Sequence, residues 1–78
     1  MEISAEEREF EFSHGSLMRA HDEEDRIRGL LRGLQSKPNV QAQRLALERE
    51  LTECLRRLAY WKARFRSANR VWRNKIRA

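Results

Sequence analysis

The chain has 78 residues, with 17 Lys or Arg against 12 Asp or Glu, for a net charge of +5. A length of this order bounds it to one small domain, and so short a chain hides only about 60% of its unfolded surface, which makes its core marginal. Apolar residues at 40%, charged residues at 37%, one Pro and three Gly argue against a turn-rich β fold and for amphipathic helices, and no window of apolar residues is long enough to span a bilayer.

The chain opens on "MEISAEERE", which is acidic and lacks the apolar run of a secretory signal. Residues 1–13 form an acidic arm or a short helix. Ser4 and Glu7 match a capping box and argue for helix from residue 5. "EREFEF" alternates polar and aromatic residues and argues for an extended strand-like arm. "SHGS", residues 13–16, reads as a break.

A first helix is expected over about residues 16–35. Leu17, Ala20, Ile27, Leu31 and Leu34 fall on an a/d pattern, with Glu24 in one core-phase slot. The acids from Asp22 to Asp25 lie toward the positive end of its dipole. Gly29 and Gly33 each cost about 1 kcal/mol relative to Ala; they mark either close packing or a weak C-terminal half. The turn follows at 36–38, within "QSKPN". Pro38 disfavours helix at Lys37 and suits a helix start, and Asn39 has the chemistry of an N-cap.

The second helix, over about 39–75, carries the clearest pattern in the chain. Leu47, Leu51, Cys54, Leu58, Trp61, Phe65, Ala68 and Trp72 form an unbroken a/d heptad seam, with no Gly or Pro after Pro38. Two helices joined by a short loop predict an all-α antiparallel hairpin. A first helix of about 20 residues spans roughly 30 Å against roughly 55 Å for the second, so half of the seam would overhang. Trp61, Phe65 and Trp72 lie on that half, and wet aromatics of their size are costly. The expected covers are the acidic arm, through Phe10 and Phe12, and a second copy in a homodimeric helix bundle. The same seam is the expected dimer or partner interface.

Charge is segregated along the chain. Residues 1–25 carry −7, residues 26–53 carry +3, and residues 54–78 carry +9 with no acid at all. Arg66, Arg70, Arg73 and Arg77 step by 4, 3 and 4 on the face opposite the seam, and Arg56 lies on the same side beyond Ala63. Arg57, Lys62 and Arg64 flank the seam, where they can pair with the acidic arm. The rear stripe is left for phosphates or, in the plainer account, for solvent. The three seam aromatics fit a packed core better than base-stacking platforms, which need exposed faces.

No chemistry of catalysis is visible. The chain has no Gly-rich phosphate loop, nucleophile elbow or H-E-x-x-H pattern, and no enzyme, cofactor or small-molecule substrate is expected. His21 and Asp25 share a helix face but have no second ligand cluster, so they read as an acidic first turn rather than a metal site. Cys54 has no C-x-x-C partner and reads as a small buried apolar side chain; a single Cys suits a reducing, cytoplasmic compartment. Two functions remain. One is a homodimer that binds duplex RNA or DNA through Arg56, Arg66, Arg70, Arg73 and Arg77 with little base specificity. The other is a protein–protein adaptor or inhibitor that docks a partner on its aromatic seam. Phages and other mobile elements often encode proteins of this size against host regulators.

Overall fold

A computed structural model describes residues 2–77. It holds two helices, α1 (Ala5–Leu34) and α2 (Gln41–Arg77), packed as a hairpin 59 × 20 × 16 Å across. Neither helix is long and apolar enough to cross a membrane.

The first helix begins where the capping box places it. Ser4 is extended, and its side-chain oxygen accepts a hydrogen bond from the Glu7 N–H at 3.2 Å. That satisfies one of the free donors of the first turn, and Glu6 and Glu7 sit at the positive end of the dipole.

The expected break at "SHGS" is absent, and the 16–35 helix is the second part of a single helix that starts at Ala5. The short side chains there serve packing rather than a turn. Ser13 is fully buried, and its hydroxyl donates back along the helix to the carbonyls of Glu9 at 2.7 Å and Phe10 at 3.2 Å. Ser16 is buried and accepts from Arg19. With Ala20 they form a narrow strip on α1 that lets it approach the bulky side of α2. The a/d phase runs unbroken from Leu34 back through Ser13 and Phe10.

The length of α1 removes most of the expected overhang. Its 30 residues span about 45 Å against about 55 Å for the 37 of α2. Only the last turns of α2 pass the start of α1, and even there Trp72 reaches Phe10 and Lys75 reaches Glu6.

The turn spans residues 35–40 rather than 36–38. The Gln35 N–H bonds the Arg32 carbonyl, and the Lys37 N–H bonds the Leu34 carbonyl at 3.1 Å. Asn39 is not the N-cap. Its φ of 57° is left-handed, a conformation that Asn tolerates better than most residues, and it reverses the chain after Pro38. The cap position falls to Val40, whose carbonyl accepts the Arg44 N–H at 2.9 Å. The second helix therefore begins at Gln41, not at 39, and runs past 75 to Arg77.

The core is one thin layer. Ile27, Cys54, Leu58, Ala20 and Ala68 are its buried apolar residues. The rest of the α2 seam, namely Leu47, Leu51, Trp61, Phe65 and Trp72, is half-buried against α1. Cys54 sits opposite Ala20 and donates its S–H to the Ala20 carbonyl at 3.4 Å. Burial pushes its thiol pKa up, so it behaves as a small core residue. Gly29 and Gly33 pack against nothing that a methyl group would disturb: a Cβ at Gly29 would first meet the end of Arg32 at 3.9 Å, and one at Gly33 meets nothing within 4 Å.

Candidate nucleic-acid interface

Three bases on or beside the seam of α2 meet acids of α1, while Lys62, which also flanks it, is exposed and makes no ion pair among the described residues. Arg64 grips Glu9 with two N–H groups, through Nε to Oε1 and through Nη2 to Oε2 at 2.9 Å. Arg57 reaches Glu23 at 3.2 Å, and Lys75 reaches Glu6 at 2.9 Å. Toward the turn the polarity reverses, with Arg26 of α1 lying 3.9 Å from Glu50 of α2. The Lys75 hydrogen bond lowers the Glu6 pKa below its ordinary range, and the Arg64 hydrogen bond does the same for Glu9. The carboxylate of Glu9 in turn raises the pKa of Arg64.

The rear stripe is a separate set. Arg66, Arg70, Arg73 and Arg77 are exposed and make no ion pair among the described residues. Arg56 is exposed but meets Glu53 of its own helix at 3.4 Å, so it stands apart from the other four. Four guanidinium groups within twelve residues cover about 16 Å of helix. Each presents a planar fork that matches a phosphate edge.

The heptad seam expected as a dimer or partner interface packs against α1, three of its members fully and Leu47, Leu51, Trp61, Phe65 and Trp72 in part. Cys54, Leu58 and Ala68 are buried under α1, and Phe65 packs on Phe10 at 5.4 Å and on His14 at 5.2 Å between ring centroids. Trp72 lies 6.5 Å from Phe10. None of these offers a free flat face for a base. Phe10 does cover the seam, as expected of the N-terminal residues, but from within a helix.

Phe12 takes a different place. It turns out beside the seam, edge-on to Trp61 at 5.5 Å, and Tyr60 lies edge-on to Trp61 at 5.0 Å. The Arg64 guanidinium stands 5.2 Å from the Trp61 ring and 5.6 Å from Phe12, and it donates to the Tyr60 hydroxyl at 3.2 Å. This exposed aromatic cluster was not foreseen from the sequence. Its partners come from opposite ends of the chain, and only the spacing of Tyr60, Trp61 and Arg64 hinted at it.

His21 lies 3.8 Å from Glu24, which also holds Arg28 at 2.9 Å. Among the described residues no three His, Cys, Asp or Glu side chains gather as they would around a metal ion. No protein-family model matches the chain, and neither a curated protein nor a solved structure is significantly similar to it.

Proposed function

We propose that this protein is a non-enzymatic helical module that binds duplex nucleic acid, RNA or DNA, through the rear face of α2. One observation carries the reading: Arg57, Arg64 and Lys75 are paired with Glu23, Glu9 and Glu6, while Arg66, Arg70, Arg73 and Arg77 form an exposed row, unpaired among the described residues. A row of guanidinium groups on a straight helix tracks the phosphate backbone by charge and shape and carries little base specificity. Arg56 extends the row toward the middle of α2 once its exposed contact with Glu53 gives way, and such surface pairs hold weakly. The reading includes a homodimer, in which two stripes would meet one duplex. It also includes a reducing cytoplasmic setting, suited to a single buried thiol.

The test is fluorescence anisotropy with labelled RNA and DNA duplexes of several sequences across a salt series. With four phosphate contacts per chain, log K against log salt should fall with a slope of about −3.5 for one stripe and about twice that where both stripes of a dimer meet one duplex. Replacing Arg66, Arg70, Arg73 and Arg77 together by Gln should weaken binding to every duplex alike and leave helicity unchanged. Unchanged binding by that variant would remove the stripe as the site. The adaptor or inhibitor reading would then take its place, with a protein partner on the exposed aromatic cluster rather than on the covered seam.

A further inference from the structure

We infer that the face of the hairpin centred on Phe12, Tyr60 and Trp61 is the surface on which two copies of this chain pair. This deepens the homodimeric part of the reading above and does not require nucleic acid to be the ligand. Phe12 is 52% and Tyr60 57% exposed, and Trp61 is half-buried between them. Val71, 48% exposed, continues the same face toward the open end of the hairpin, where it lines a groove with Ala5, Ala68 and Arg64. A second groove, between Phe12, Ser16 and Trp61, continues it toward the turn. Leu30, 47% exposed, shares the heptad position of Glu9, Ser16 and Glu23 and extends the face further. The result is a row of exposed apolar side chains set between ion pairs, with depressions along it suited to side chains of a facing helix.

Three features select a second copy as the occupant. The first is charge. Three ion pairs cross the hairpin along this face, Glu9 with Arg64, Glu23 with Arg57 and Arg26 with Glu50, while Arg19, beside the second groove, and Arg49, nearer the turn, have no acid partner among the described residues. Most charge on the face is thus compensated, whereas an anionic partner is drawn to the stripe behind α2. The second is size. A face 59 by 20 Å across has room for the roughly 800 Å² per partner of a standard stable interface. A single hairpin is one layer with a thin core, and stable domains need at least two; two hairpins make a four-helix bundle. The third is position. Tyr60 and Trp61 lie within two residues of the middle of α2. A two-fold axis there lays the hairpins along their full length with turns at opposite ends, and each aromatic cluster meets its own copy, as an isologous contact requires. Both arginine stripes stay on the outside.

The experiment is sedimentation equilibrium from about 1 to 100 µM, with circular dichroism in parallel. The parent should weigh twice its 9.4 kDa at tens of micromolar. Phe12→Glu with Tyr60→Glu should return it to the single-chain mass with helicity retained, because both side chains are already half exposed. Tyr60→Cys gives a readout in the folded protein: under oxidation it should cross-link into a dimer, while Arg70→Cys on the rear face should not. A parent that stays monomeric at 100 µM overturns the inference and leaves the face to a foreign partner. A double-Glu variant that remains a dimer, or a Tyr60→Cys protein that does not cross-link, overturns it too. Duplex binding is read separately, so its failure with the dimer intact touches only the proposed function.

Discussion

Phe10→Ala tests the feature that most changes the picture of this chain, the docking of its first residues as helix rather than arm. Phe10 packs on Phe65 and Trp72 and stacks on His14. Complete removal of a buried Phe costs about 3–5 kcal/mol. Phe10 is half-buried, which reduces the transfer part to about half of that. Loss of its aromatic neighbours adds to the cost, and the better helix propensity of Ala takes back a few tenths of a kcal/mol. The net loss should be about 2 kcal/mol, or a fall in Tm of roughly 10 °C for a domain of this size. Thermal and urea unfolding followed at 222 nm would measure it at one fixed protein concentration. The Trp emission should also shift to the red as Trp72 is wetted. Glu11→Ala, one position along and exposed, is the control and should change little. If Phe10→Ala melts with the parent, the first two turns of α1 are not docked, and the cover of Phe65 and Trp72 must come from elsewhere.

The remaining predictions concern charge, backbone and thiol. Glu6 and Glu9 have pKa values depressed from an ordinary 4.5 by Lys75 and Arg64, so their pairs stabilise the fold fully above that pH and are lost as pH falls through the depressed values. Tm should be level from neutral pH to about pH 5 and fall in more acid solution, and the fall should be shallower in Glu6→Gln with Glu9→Gln. Gly33→Ala should stabilise the protein by about 0.5–1 kcal/mol, since the position is helical with no positive φ and open space around it; equilibrium unfolding that shows a loss would mean the end of α1 is not helical in solution. The Cys54 thiol, fully buried and hydrogen-bonded to Ala20, should react with a thiol reagent only at the rate at which the hairpin opens, and fast labelling under native conditions would place it at the surface.

Much of the fold was legible because α2 repeats one instruction. Eight a/d positions without a Gly or Pro specify a long helix with one apolar side, and that side meets α1. The start of α1 was legible in Ser4 and Glu7 because a cap is local chemistry. The middle of α1 was not. Ser13 and Ser16 are turn residues by intrinsic preference, but opposite a row of Leu, Trp and Phe a small side chain is what allows two helices to close, and tertiary packing outweighs propensities of well under a kcal/mol each; Gly15 lies off that contact, where a Cβ would meet only the end of Arg19 at 3.6 Å. The alternation in "EREFEF" was real and misleading. Residues two apart on a helix point in nearly opposite directions, so Phe10 enters the seam while Phe12 turns out beside it. Asn39 deceived in a similar way, since the same short side chain suits both an N-cap and a left-handed turn.

The rear arginines were legible because they touch nothing: a face that packs on no neighbour keeps its sequence periodicity in the structure. Of the flanking bases expected to pair with the N-terminal acids, Arg64 does so through Glu9, Arg57 pairs instead with Glu23 farther along α1, and Lys62 makes no ion pair among the described residues, while Lys75 adds a pair with Glu6. This division has a physical consequence. The pairs that involve α1 lie at the surface, so they contribute little to the fold and salt screens what they do contribute. The packed aromatics and the small-residue strip beneath them are insensitive to salt. Phosphate binding by four exposed guanidinium groups is, by contrast, set almost wholly by counterion release and loses about three and a half powers of ten for each tenfold rise in salt. Fold and proposed function therefore rest on different forces acting on different faces of α2. Raising salt tenfold should leave the helical signal and the melting curve nearly where they were while it abolishes duplex binding. Coincident loss of both would mean that the stripe also holds the hairpin together, contrary to its exposure and its lack of partners among the described residues.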